Sequence, residues 1–244
     1  MDNEKGKSII STGSSNLAKT EKLLSITQKI LSELIPYYES VRIGDQLWMT
    51  RNLDVDRFRN GDLIPHVKSV EEWRKAGHNG QPAWCYYKNY PENGKKYGKL
   101  YNWFAVADSR GLAPLGWHIP SDDEWTSLVD FMGEDVAGHK MKSVEGWEAK
   151  IKRVFYILNG DNSSGFNALP GGSRFCGLRD FYDIRSEAVF WSASDINGFA
   201  WCRILTSSSH LIKVGKYYCS VIRHDEYKPG GASVRCLRDD YLSI

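Results

Sequence analysis

Cys202, Cys219 and Cys236 recur at equal spacing near the end of the chain, with His210 and His224 between them. Thiols and imidazoles within reach of one another are the ligand set of a zinc site, and a thiol pair is the working part of a redox centre. The spacing also has a plainer source. Cysteines at one position of three neighbouring strands recur equally whenever the hairpins have similar lengths, and as small buried hydrophobes they need no ligand. The expectation is therefore buried free thiols. The five cysteines form no CxxC pair, and an odd number leaves a disulfide framework incomplete. The six histidines (His66, His78, His118, His139, His210, His224) show no ligand spacing. Neither a metal nor another cofactor is expected.

Other chemistry-bearing residues read the same way. Asp122, Asp123 and Glu124 would serve acid–base catalysis or a cation, but they open a helix signal and so complement its dipole. His118, just before them in "GWHIPSDDEW", is expected to be structural. Arg203, Arg235 and Arg238 would bind an anion, or lie half-buried in a sheet bonded to loop carbonyls or a carboxylate. Gly6-Lys7-Ser8 echoes the end of a phosphate-binding loop without room for the strand that must precede it. No GxGxxG, HExxH or GxSxG is present.

These residues need elements to hold them. Residues 1–15 are polar and rich in Ser and Gly, and are expected to be disordered. In "NLAKTEKLLSITQKILSEL", Leu17, Leu24 and Leu31 recur every seven residues, and Leu23, Ile26, Ile30 and Leu34 widen the stripe. This predicts one amphipathic helix over 16–35, packed on its own domain or used for self-association or docking. Pro36 ends it. The domain division expected is 1–36 and 37–244.

"SVRIGDQLWMTRNLDV" predicts a hairpin turning at Gly44-Asp45, with Val41 and Ile43 on one strand and Leu47 and Met49 on the other. Asn60-Gly61-Asp62 is a turn signal. Val70, Trp73 and Ala76 predict one or two helical turns over 69–77. Ser121 followed by Glu124 is a capping box, and Trp125, Leu128, Val129 and Met132 fall on one helical face that stops at Gly133. Three strands are expected at 199–206, 216–223 and 233–238, as an antiparallel meander.

A chain of 244 residues with 41% hydrophobic and 25% charged residues can bury a substantial core. A net charge of +2 argues for neither nucleic acid nor an anionic membrane surface as partner. No apolar run is long enough for a membrane span. The N-terminus lacks the apolar core of a secretory signal. Cytoplasmic synthesis is expected, with association to a particle or virion, or to a cell surface by another route.

"VRIGDQLWMTRNLDV", "YGKLYNWFAV", "LAPLGWHIPSDDEWTSLVDFMG", "GFNALPGGSR", "FWSAS", "AWCRIL" and "SVRCLRD" occur in an order that resembles the Fibrobacter succinogenes major paralogous domain, from about Val41 to Asp239. The resemblance implies an α+β, C-type-lectin-like fold with short antiparallel sheets, a capped helix and long loops. In it the first strand (41–49) pairs with the last (233–238). The capped helix (121–132) packs beneath, and the 199–223 hairpin is exposed. Variable proteins of diversity-generating retroelements are similar in their C-terminal segment. By that likeness Trp191, Arg203 and Arg235 are scaffold, while Asp195, Ile196, Asn197, Phe199, Cys202, Ile204 and Thr206 face a ligand.

Strand alternation puts Cys202, Ile204 and Thr206 on the side opposite Trp201, Arg203 and Leu205. With Arg203 and Leu205 as scaffold, the 202/204/206 side is expected to face outward. The Glu-Pro-Asn, Gln-Pro-Asp and Trp-Asn-Asp motifs of calcium-dependent sugar lectins are absent. The function expected is a non-catalytic binding module of the adhesin or receptor-binding type, holding a protein or glycan partner. The alternatives are a formylglycine-generating-type cysteine-dependent oxidase, whose fold is related, and a structural surface or particle subunit.

Overall fold

Gly44 takes a positive φ of 59°, which glycine adopts without strain, and the chain reverses there. This closes the predicted hairpin, β1 (Ser40–Ile43) and β2 (Gln46–Met49). The computed structural model describes residues 16–17, 19–23, 37–151, 154–176, 180–207 and 220–239, the side chains of 149–157 excepted. The chain divides into two units, Met1–Tyr37 and Tyr38–Ile244. In the first, residues 16–17 and 19–23 are helical, and Leu17 and Leu23 are exposed. The rest of the expected apolar stripe, Leu24 to Leu34, lies outside the described residues, as does the tail expected to be disordered.

In the second unit, helix α1 (Val70–His78) is capped by Ser69, whose hydroxyl accepts from Glu72 N, and it buries Trp73 and Ala76. Then come β3 (Trp84–Cys85), α2 (Pro91–Tyr97), β4 (Leu100–Asn102), α3 (Trp103–Val106) and β5 (Trp117–His118). Helix α4 (Asp122–Met132) carries the complete capping box: Ser121 Oγ accepts from Glu124 N, and Glu124 accepts from Ser121 N. Trp125, Leu128, Val129 and Met132 form its buried face, and Gly133 caps its end. Helix α5 (Ala137–Met141) follows, then β6 (Glu148–Ile151), β7 (Val154–Ile157), β8 (Ser173–Arg174) and β9 (Phe181–Tyr182). The C-terminal strands are β10 (Glu187–Ile196), β11 (Phe199–Thr206), β12 (Ile222–Tyr227), β13 (Gly231–Ala232) and β14 (Leu237–Arg238).

The architecture is α+β, with four antiparallel sheets among the described residues, ordered β1-β2-β14-β5, β3-β4-β13-β8-β9, β10-β11-β12 and β6-β7. The expected pairing of the domain's ends is present, with Leu237 opposite Trp48. The expected meander is not. Its first strand is β11, and the second is described at 222–227; residues 208–219, which include 216–219 of the expected strand, lie outside the described residues. The third segment touches that sheet only through Ser233, which bridges Phe190 of β10, and then leaves it. Gly231-Ala232 pairs with β4 and β8, and Leu237-Arg238 pairs with β2 and β5. The strand missing from the prediction is β10, which fills the meander's place beside β11.

Equal cysteine spacing therefore does not reflect three neighbouring strands. Cys202 is on β11 and Cys236 lies between β13 and β14, both in one apolar cluster with Trp117, Trp191 and Val234. Both are fully buried free thiols; Cys219 lies outside the described residues. A second cluster joins the helix-α4 face to Trp48, Trp147, Phe166, Phe190 and Leu205.

Candidate recognition face

The sheet β10-β11-β12 is anchored at one end and free at the other. Asn197 and Gly198 both have positive φ (42° and 90°), the conformation of a two-residue type I′ hairpin turn. Ile196 and Phe199 face each other across it. Nearer the core, β10 bulges at Ser192–Ser194, between the pairs Trp191–Cys202 and Asp195–Ala200. The bulge seats the start of α4: Ala193 N donates to Pro120 O at 2.8 Å, and Asp122 N donates to Ser194 Oγ at 3.0 Å.

Asp122 then reaches across the sheet. Its carboxylate accepts from Arg203 Nη1 at 2.6 Å and from Arg223 Nη2 at 2.7 Å and Nε at 2.9 Å. Burial pushes this carboxyl's pKa up, but the hydrogen bonds from Arg223 and Arg203 outweigh that and hold it below its usual value. The acidic trio is thus divided in its work. Asp122 anchors the sheet, Glu124 completes the cap and bonds His118, and Asp123 is exposed.

Residues directly opposite on antiparallel strands share a face. Phe199 pairs with Tyr227, Trp201 with Asp225 and Arg203 with Arg223, so these six lie on one side. At the free end, Ile196, Phe199 and Tyr227 are exposed apolar side chains, with the two rings 5.9 Å apart at 55°. The Arg223 guanidinium lies 3.5 Å from the centre of the half-buried Trp201 ring. The other side carries Ala200, Cys202, Ile204 and Thr206 opposite Glu226, His224, Ile222 and Glu187.

This corrects the expected orientation. Cys202 and Thr206 are buried, and Ile204 is half-buried against the core cluster. Strand β11 is covered on both faces: the Cys202 side by the cluster of Trp117 and Trp191, the Leu205 side by the cluster under α4. Strand alternation alone cannot reveal a strand with two covers. Asp195, Ile196, Asn197 and Phe199 are exposed around the turn, with Asp195 bonded to Lys228 at 2.8 Å. The expected scaffold side chains are buried. Trp191 Nε1 donates to Tyr101 O at 2.8 Å, and Arg235 is held by Met49 O, Phe166 O and Asn52 Oδ1. Trp201, Arg223 and Tyr227 belong to the exposed end but were not among the expected ligand-facing residues. The Asn197-Gly198 turn fixes the register of β10 on β11 and so locates Trp201, whereas Arg223 and Tyr227 lie on β12, whose register on β11 that turn does not set.

Among the described residues, no group of three or more His, Cys, Asp or Glu is placed to hold a metal ion, and no helix is long and apolar enough to cross a membrane. A family model, the Fibrobacter succinogenes major domain, matches residues 41–238. The chain belongs to this family. No curated protein and no solved structure matches it.

The Fibrobacter succinogenes major domain so delimited runs from β1 to β14, and Asp239, the residue that follows it, is clamped by a histidine. His118 bonds Glu124 through Nε2 at 2.9 Å and Asp239 through Nδ1 at 2.7 Å. The bond to Glu124 raises the His118 pKa against the opposing effect of burial, with Asp239 adding to it. Burial raises Glu124, but the bonds from His118 and Ser121 prevail and bring it to about 2. The His118 contribution is therefore full below about pH 6.5 and is lost as pH rises through the raised folded value. The Glu124 contribution is present above about pH 4.3 and is lost as pH falls toward about 2. Melting temperature is expected to decline above neutrality, and His118→Gln is expected to remove part of that decline. The difference profile between wild type and variant isolates this pair from Glu187, whose carboxyl burial pushes up to about 7. Parallel profiles in the two proteins would refute the assignment.

Proposed function

We propose that this domain is a non-catalytic binding module whose partner sits on the free end of the β10-β11-β12 sheet. The observation that carries the reading is the exposed cluster of Ile196, Phe199 and Tyr227, beside the Trp201–Arg223 stack, on a sheet whose base is locked by Asp122. Aromatic and arginine side chains on a rigid support dominate interface energies. In this reading the domain is C-type-lectin-like, the module is of the adhesin or receptor-binding type, and it acts on a particle or cell surface with residues 16–35 as its attachment. Asp195, Ile196, Asn197 and Phe199 are then the positions that set specificity, as in the retroelement variable proteins.

The same reading sets aside a cysteine-dependent oxidase. Such chemistry needs an accessible thiolate, whereas among the described cysteines burial pushes Cys85 and Cys236 up to about 12 and raises Cys202 as well; Cys219 lies outside the described residues. Half-buried Cys176 is also shifted upward, first by burial.

Trp201's face is covered by Arg223, and the Phe199 and Tyr227 rings are tilted. A flat platform for sugar stacking is thus missing, which favours a protein partner over a glycan. The test is a fluorescently labelled full chain applied in parallel to a glycan array and to bacterial surface-protein fractions. Binding to a protein band is expected, and the Phe199→Ala/Tyr227→Ala double variant is expected to bind at least about 30-fold more weakly, as for hot-spot loss. Its melting temperature should match wild type. Equal binding by the two proteins would place the partner elsewhere, and glycan binding would overturn the choice of partner class.

A further inference from the structure

A cleft of about 500 Å³ lies on a different part of the domain, between α1, the segment around Pro65 and the residues Gln81 and Pro82 that follow α1. We propose that it binds a small carboxylate with an apolar body.

The volume is in the range of small-molecule sites, which are mostly apolar with a few polar groups that fix orientation. Leu63, Pro65 and Pro82 supply apolar wall. The polar lining is His66, Glu72, Lys75, Gln81 and Arg110. Two of these are already engaged. Glu72 accepts from Ser69 Oγ at the α1 cap, and Arg110 is held by Asp108 and Asp62. Lys75 forms no ion pair, and the Gln81 side chain no hydrogen bond, with any described residue. Arg110 is matched by its two aspartates, so the lining cation left unpaired is Lys75.

His66 adds a positioned edge. Its ring stacks on Trp84 at 3.8 Å and 6°, and Tyr86 meets it edge-on, so its plane is fixed. Neither ring nitrogen has a hydrogen-bond partner among the described residues. Burial lowers its pKa, with Lys68 and Lys99 adding to the effect, so at neutral pH the imidazole offers one donor and one acceptor. An ammonium, an amide and a fixed imidazole N–H are complementary to a carboxylate, while the proline and leucine walls cover an apolar body. A cationic ligand would meet Lys75, and a wholly apolar one would offer Lys75 and Gln81 no partner.

The probe is 3-phenylpropionate, with 3-phenylpropanamide as its uncharged counterpart, titrated into the ¹⁵N-labelled full chain. The acid is expected to shift the backbone amides of His66, Lys75 and Gln81 in a saturable way, and the amide to bind at least about tenfold more weakly. Lys75→Met lies on an exposed helix position and should fold normally while weakening the acid by a similar factor. His66→Phe keeps a ring on Trp84 and removes both nitrogens, and it should weaken the acid too. Three results would each overturn the proposal: no shifts at these residues, equal binding of acid and amide, or undiminished binding by Lys75→Met. Tyr227→Ala should leave the titration unchanged, which separates this cleft from the sheet-end face.

Discussion

Arg235→Met should lower the stability of the domain by about 3–5 kcal/mol, a fall in melting temperature of about 10 °C or more for a domain of this size. Arg235 is fully buried, and its guanidinium is shared by Met49 O, Phe166 O and Asn52 Oδ1, none of which bears a charge. It also lies 4.5 Å from the centre of the Phe166 ring and 5.5 Å from that of Phe190. Methionine fills much of the volume but donates nothing, so three buried oxygens from two distant segments lose one common donor. Burial brings the Arg235 pKa down to about 9, and it remains charged at neutral pH. Lysine should not rescue the loss, because an ammonium cannot span acceptors spread around a planar fork. Denaturant melts of the three proteins decide the matter. A loss below about 1 kcal/mol in Arg235→Met would mean that water replaces the guanidinium and that the site is not dry.

Asp122→Ala should be comparably severe, at about 3–5 kcal/mol, because it strands the Arg203 guanidinium. Arg203 is 2% exposed and bonds the Asp122 carboxylate, Asp122 O and Thr126 Oγ1. Removing one partner of a buried pair costs more than removing both, so Asp122→Ala/Arg203→Met is expected to recover part of the loss. Arg223 is half-exposed and stacked on Trp201, so Arg223→Ala should cost only about 1 kcal/mol or less. The same cycle has a functional reading. Asp122→Ala at a temperature where it remains folded should impair partner binding, since Arg223 loses its tether. If double and single variants melt alike, the pair is not the anchor.

What the sequence made legible was local. The capping box at Ser121 and Glu124, the spacing of the α4 face, the Gly44 turn and the turns of α1 each rest on residues within one element. The partners across the fold were not legible in the same way. Asp122 reads as a dipole complement because nothing near it in sequence points to Arg203 or Arg223. The polar run of Arg223 to Glu226 lacks the apolar pattern of a strand, yet it forms β12 because β11 offers it a paired edge. Cys202 and Thr206 read as outward because alternation assumes one wet face, and from Cys202 to Thr206 β11 has none. Expecting "SVRCLRD" to be one strand missed that Ser233–Cys236 crosses between two sheets, carrying Arg235 into the core between them. Of the exposed end, Asp195, Ile196, Asn197 and Phe199 were reachable from the resemblance. Tyr227 and Arg223 required the register.

The pairing of Leu237 with Trp48 also has a consequence for how the molecule is made. The two residues lie almost the whole domain apart in the chain, so the sheet β1-β2-β14-β5 cannot be completed until the final strand has emerged from the ribosome. Until then Trp48 and Trp117 lack the strand that joins them, and the pocket for Arg235 has no occupant. Contacts of such long range slow folding and prolong the exposure of apolar surface. A nascent chain whose residues 237 and 238 are still withheld should therefore be protease-sensitive across its first hairpin, and their emergence should convert it to a resistant form in a single step.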